Sequence, residues 1–216
     1  MSAESRAAIL ARIRRANGVA DNPARVSQQQ HEWSLLSRAY RARGNLDDAQ
    51  RLKLFDERIR HYNGTPFYST GNIQSDIANI LTERGKQTLI VPAGLPSEWL
   101  PEDFDFVPDN NLSKQQLDAA DGVVTECTLG IALTGTVVLE SSPTQGRRAA
   151  TLIPDYHLCI LRKGDIVELV PEAIRRLESI KGRPLTFFSG PSATVDIEMT
   201  RVRGVHGPRT LDILLI

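Results

Sequence analysis

Within the twenty residues from Ser189 to Pro208 stand two Gly/Pro turns, two carboxylates, two arginines and a histidine. Asp196 and Glu198 are two apart. On a strand they share a face, which suits acid–base work; on a helix they diverge, and Asp196 merely favours the N-terminal dipole. His206, between Val205 and Gly207-Pro208, can serve as a general base, as a donor to an anion or as a satisfied turn histidine. Arg201 and Arg203 can pair with the carboxylates or hold an anionic ligand. Upstream, Ser189-Gly190-Pro191-Ser192 leads into an expected helical turn with Ser192 as N-cap. Such a turn, with small neighbours, can take a phosphate or carboxylate, and ordinary capping explains it equally well.

A second string runs from Thr125 to Thr136 and ends Thr134-Gly135-Thr136. That turn exposes backbone N–H groups and two hydroxyls at a strand end, a workable anion cradle. It is also a tight strand entry whose threonines cap the backbone, the blander and better-supported reading. Arg147-Arg148 beside Ser141-Ser142-Pro143 is a further anion-binding candidate. His157 alternates with apolar residues and reads as a hydrogen-bonded sheet histidine. The candidate acid–base set is therefore Glu198, Asp196 and His206. The candidate ligand-binding set is Thr134, Gly135, Thr136, Ser189, Gly190, Ser192, Arg203 and Gly207, with Arg148. Turn amides near Gly135 and Gly190 would stabilise an oxyanion, and Glu126 or Glu140 would be the nucleophile in an acyl transfer. There is no Walker loop, no Gly-x-Gly-x-x-Gly after a strand, no Gly-x-Ser-x-Gly elbow and no pair of histidines at metal-ligand spacing.

The elements that must position these groups follow from apolar spacing. Ser2–Ala16 reads as an amphipathic helix stopped at Asn17-Gly18. Residues 27–62 read as polar helix with one break at Gly44-Asn45, so 1–62 is expected to be a helical arm and 63–216 the main domain. Beyond Gly64-Thr65-Pro66 the pattern alternates. Helices are expected at 72–84, 113–119 and 171–180, with a helical turn at 146–150. Strands are expected at 88–91, 104–107, 121–125, 136–140, 156–161, 185–188 and 211–216. Strands alternating with helices predict an α/β domain with a mostly parallel sheet flanked by helices.

Bulk properties narrow the classes. Lys plus Arg, 26, equals Asp plus Glu, 26, so no strong field favours nucleic acid or a membrane surface. The balance hides an asymmetry: residues 1–62 carry 12 basic and 7 acidic side chains, and 63–216 carry 14 and 19. A solvated basic helical face is the simpler explanation. Two cysteines, Cys127 and Cys159, are too few for a four-cysteine zinc or iron–sulfur site, and their apolar surroundings suggest buried free thiols. No cofactor or metal is expected. Without an apolar leader or membrane-span window, a soluble cytoplasmic protein is the expectation.

Taken together, Ser189-Gly-Pro-Ser192, Asp196-Ile-Glu198 and Arg203-Gly-Val-His-Gly-Pro208 resemble the C-terminal signature of the LUD-domain family. Ala132-Leu-Thr-Gly-Thr136 resembles that family's central turn, and Leu152-Ile-Pro154 with His157 the segment after it. The resemblance covers roughly residues 65–216. It implies a fold like that of ribose-5-phosphate isomerase, glucosamine-6-phosphate deaminase and the CoA transferases. It also implies an accessory role in oxidation of lactate to pyruvate, with iron–sulfur proteins as partners. Two positions depart from the pattern: Leu133 stands where the family commonly has Glu, and Ala193 where it often has Arg. Both changes remove a charge from the expected cleft. A stand-alone isomerase or acyl-transfer enzyme and a non-catalytic scaffold are the competing readings.

Overall fold

In a computed structural model, residues 3–17, 23–37, 39–195, 201–203 and 207–216 are described. They divide into two compact units, 1–40 and 41–216. The first holds helices α1 (Ala3–Ala16) and α2 (Pro23–Leu35). Residues 36, 37 and 39–47 are non-helical, so the break expected at Gly44-Asn45 is wider than the sequence suggests. Helix α3 (Asp48–His61) opens the α/β unit, with Asp47 and Gln50 closing a reciprocal cap at its start. Phe55 and Ile59 on its inner face are fully buried.

The six-stranded sheet is parallel throughout. It is built from β1 (Thr65–Tyr68), β2 (Thr88–Val91), β3 (Asp105–Pro108), β4 (Gly122–Glu126), β7 (Tyr156–Leu161) and β12 (Thr210–Leu215), in the spatial order β1-β12-β7-β4-β2-β3. Runs such as Tyr-His-Leu-Cys-Ile-Leu are buried residue after residue, because both faces of a parallel sheet are covered. Helix α4 (Ile73–Arg84) starts on the Asn72 cap and stops at Gly85, which takes φ +61°. It covers one face, packing Ile77, Ile80 and Leu81 on Leu89, Val124, Leu158 and Leu214.

The other face meets a four-stranded sheet of β5 (Leu129–Ile131), β6 (Thr136–Glu140), β8 (Ile166–Val167) and β9 (Leu185–Phe188), ordered β8-β5-β6-β9. Phe55 and Ile59 of α3 fill the space between the sheets with Cys159, Leu161, Leu211 and Val137. Helices α5 (Lys114–Ala119) and α6 (Arg148–Leu152) continue that face through Leu117 and Ala150. Helix α7 (Val170–Leu177) covers the far side of the small sheet with Ala173 and Leu177. A hairpin of β10 (Ala193–Val195) and β11 (Arg201–Arg203) completes the fold. Ser192 therefore leads into a strand, and the helical turn expected there does not form. Its N–H donates to the carbonyl of Pro208, an ordering that a strand entry uses and a helix cap does not. The expected α/β architecture with a mostly parallel sheet is the observed one.

Among the described residues, no helix is long and apolar enough to cross a membrane.

Candidate functional site

Strand β6 begins at Thr136, and β9, its antiparallel partner, ends at Phe188. That register brings the Thr134–Thr136 turn against the start of the Ser189–Ser192 turn. Thr134 Oγ1 and Thr136 Oγ1 lie 2.7 Å apart, and Thr136 Oγ1 lies 2.7 Å from Ser189 Oγ. The three hydroxyls form a line whose outer member, Ser189, is exposed. Both glycines of this corner press against the C-terminal end of α3. Gly135 takes φ +56°, and a Cβ there would sit 2.7 Å from the Arg58 carbonyl carbon. Gly190 takes φ +86°, and its Cβ would sit 2.4 Å from the Tyr62 carbonyl oxygen. Only glycine meets both demands, an open left-handed backbone and no side chain.

Ser192 and Gly207 are neighbours as well: a Cβ on Gly207 would lie 3.3 Å from Ser192 Cβ. The backbone of Arg203 pairs with Ala193. Asp196, Glu198 and His206 lie outside the described residues, as do the segments they occupy. Arg148 is exposed and belongs to the opposite end of β6, where it lines a small depression with Glu140, Ser141 and Thr186. Glu126 and Glu140 are both ion-paired, to Arg162 at 2.7 Å and to Arg183 at 3.0 Å.

His157 is fully buried. Its Nε2 is 2.8 Å from Thr125 Oγ1, its ring meets Phe188 edge-on at 5.8 Å, and its Nδ1 has no partner. Burial pulls its pKa down to about 3, so the ring is neutral at physiological pH. Cys127 and Cys159 are buried free thiols. The contact with Cys159, together with burial, raises the Cys127 pKa, so this sulfur is no thiolate nucleophile.

Topology marks a second location. The connection leaving β2 runs to β3 on one side, while that leaving β4 runs toward β7 on the other. Diverging connections open a crevice beyond the carboxyl ends of the two strands, where open α/β sheets bind ligands. The loop 141–147 lies over that crevice. Pro143 accepts from Gly94 N–H at 2.9 Å, Thr144 from Glu126 N–H at 3.2 Å, and the buried Gln145 accepts from Glu140 N–H at 2.8 Å. Arg147 reaches across to Asp109, just after β3, through Nε at 2.7 Å and Nη2 at 2.9 Å. The hydrogen bonds from Arg147 hold the Asp109 pKa below the usual carboxylate range, against the effect of its burial. A cleft of about 390 Å³ results, between Pro92-Ala93, Asn111 and Ser141–Pro143. The Arg147-Arg148/Ser141-Ser142 string was visible in the sequence. Asp109 and Asn111 were not singled out, although the polar run Asp109-Asn110-Asn111 directly after a strand was the signal.

A family model described as LUD domain matches residues 97–216, more than half of the chain. The chain belongs to the LUD-domain family. Its relatives include a lactate utilization protein C of Deinococcus radiodurans, 42% identical over 175 residues that cover 79% of this chain and 82% of the relative. A lactate utilization protein C of Shouchella clausii is 37% identical over 105 residues, 46% of this chain and 45% of the relative. The crystal structure of a DUF162 family protein from Deinococcus radiodurans matches this LUD-domain chain with a TM-score of 0.69 at 36% identity. The match covers 79% of this chain and 99% of that one.

Proposed function

We propose that this LUD-domain protein is an accessory component of lactate, or related 2-hydroxy acid, utilisation, and that it binds a small organic anion at the Thr134–Thr136/Ser189–Ser192 corner. The hydroxyl line from Thr134 through Thr136 to Ser189 carries the reading. It joins residues 53 apart in sequence and ends at a solvent-facing hydroxyl beside two glycine-dependent turns. The names of the relatives supply the metabolic context. Arg203, Asp196, Glu198 and His206 follow Ser192 closely in sequence, and in this reading they complete the site. Iron–sulfur proteins are the proposed partners and would carry the redox chemistry, since the buried Cys127 and Cys159 cannot ligate a four-cysteine cluster.

A thermal-shift titration with lactate and pyruvate tests the binding. A ligand at about 100 times its dissociation constant adds about 2.7 kcal/mol of stability. The expected result is a shift with at least one of the two acids that disappears in Ser189→Ala combined with Thr136→Val. In a host with no redundant system, deletion of the gene should abolish growth on lactate. Unchanged growth on lactate would sink the metabolic assignment.

A further inference from the structure

The helical cover of the six-stranded sheet runs out at one edge. A parallel sheet buries both of its faces under other elements. Around β2, helix α4 covers one face, over Leu89 and Val91. On the opposite face Ile90 packs on Leu117 of α5 and Ala150 of α6. These helices have six and five residues, about 9 and 8 Å of length, too short to cover the outermost strand as well. Val107, the register partner of Ile90 on the edge strand β3, stays half-buried. An apolar groove of about 230 Å³ remains, lined mainly by Ile90, Val107, Leu112, Ala119 and Ala120. It has room for aliphatic side chains and less than a drug-sized ligand needs.

The strand that borders this groove is acidic. Asp105 shares the face of Val107 by strand alternation, and Glu102 and Asp103 lead into the same strand; all three are exposed. No Lys or Arg stands between Lys86 and Lys114. Charges on an edge strand also deter strand pairing, which accounts for the acids and not for the apolar floor. Helix α1 is the complement of both. It carries Arg6, Arg12, Arg14 and Arg15 against Glu4 alone, and it exposes Ile9 and Ile13 at 47% and 50%. Four positions apart, the two isoleucines share a face, and Arg12 and Ala16 line the same stripe. The match extends to the two units. Residues 1–40 carry 6 basic and 3 acidic side chains, and residues 41–216 carry 20 and 23.

We propose that the groove between β3 and α5 takes helix α1 of a second copy of this chain. Ile9 and Ile13 of one copy enter the groove of the other, and the arginines beside them face Asp105 and its acidic neighbours. The helix then supplies the cover that the sheet face lacks, by the helix-in-groove mode. Each copy carries both the helix and the groove, so the exchange is reciprocal and closes a two-fold symmetric dimer with the same contact made twice. A foreign basic helix would meet the same groove, but only the chain's own arm is always present in equal number. The inference does not rest on the lactate reading.

Sedimentation velocity of the full chain over about 1–100 μM tests this. A concentration-dependent dimer is expected, and it should weaken as salt rises from about 0.05 to 0.5 M, because the charges involved are exposed. Ile9→Ala with Ile13→Ala keeps α1 a good helix and removes only its apolar bulk. It should weaken the dimer by at least about hundredfold, since each loss counts twice in a symmetric pair. Ala119→Trp fills the groove from an exposed position and should also give a monomer. The thermal midpoints of these monomers should stay close to one another, which separates lost docking from lost folding. Mixing the two variants is the decisive arm: one offers an intact groove and the other an intact arm, so a heterodimer joined by a single contact should form where neither variant self-associates. A monomer at every concentration, a dimer that survives both variants, or two monomeric variants that fail to combine overturns the proposal.

Discussion

His157 shows how one side chain couples the sheet to pH. It sits inside the parallel sheet with Nε2 on Thr125 and Nδ1 facing no partner. Charging the ring would strand a cation in an apolar layer, and burial lowers its pKa from 6.5 to about 3. A histidine depressed in the folded state favours folding fully above the unfolded pKa. That contribution is lost as pH falls from about 6.5 toward 3, because over that window the unfolded chain binds one more proton. Denaturant unfolding at pH 7, 6 and 5 should show stability falling toward a limiting slope of about 1.4 kcal/mol per pH unit from this group. The lowered carboxylates Asp109 and Asp121 add their loss only below about pH 4. His157→Gln should flatten the profile between pH 6.5 and 5; a profile unchanged by that substitution would show that the ring titrates normally. The sequence identified His157 as a sheet residue from its apolar neighbours, but its edge-on packing against Phe188, 31 positions away, is a long-range contact that no local pattern reports.

At the level of elements, the corner between the small sheet and α3 depends on contact without side chains. Gly190 carries a left-handed φ and touches the Tyr62 carbonyl, whereas Gly71 carries φ +104° with nothing within 4 Å. The pair separates backbone strain from steric contact. Gly71→Ala should cost only the strain, about 1–3 kcal/mol, and Gly190→Ala should cost clearly more, because α3 must also move away. Equal losses in chemical denaturation would mean that the corner yields easily. The strands β2, β4, β6, β7 and β12 were legible as apolar runs bounded by Gly, Pro or Asp, and α4 and α5 by their caps. Strand β5, three residues long, and β8, two residues long, offer no periodicity to read. Strand β1 was hidden in a Gly-Thr-Pro stretch that looks like a turn, yet as an edge strand it tolerates Pro66. The hairpin of β10 was misread because Gly-Pro-Ser announces a helix start as readily as a strand entry. The meeting of Thr136 with Ser189 required the β6–β9 register, which no spacing in the chain encodes.

For the whole molecule, the question is where the folded domain begins. Helical polarity and excess basic charge run continuously through residue 62, which is why the sequence suggests an arm of that length. Burial divides the chain elsewhere. Residues 1–40 form a unit of their own and expose Ile13, Trp33 and Leu35 at 50–69%. Residues 41–46 are instead tied to α7. Glu168, buried to 2% exposure, accepts from Arg41 at 2.5 Å and from the N–H groups of Asn45 and Leu46 at 2.6 and 2.8 Å. Glu172 accepts from Gly44 N–H at 3.0 Å. A chain starting at Arg41 keeps all of these bonds and every buried cluster, so its thermal midpoint should lie within a few degrees of the full protein. A chain starting at Asn63 loses Phe55 and Ile59 from between the two sheets and leaves the Glu168 carboxylate buried without its donors. Loss of one large core aromatic alone costs about 3–5 kcal/mol, and an uncompensated buried charge adds about as much. Together these approach the entire stability of an ordinary domain. The shorter chain should therefore be unfolded at room temperature by circular dichroism, while the longer one melts cooperatively. Cooperative melting of both would place the domain boundary at residue 62 and reduce α3 to an accessory helix.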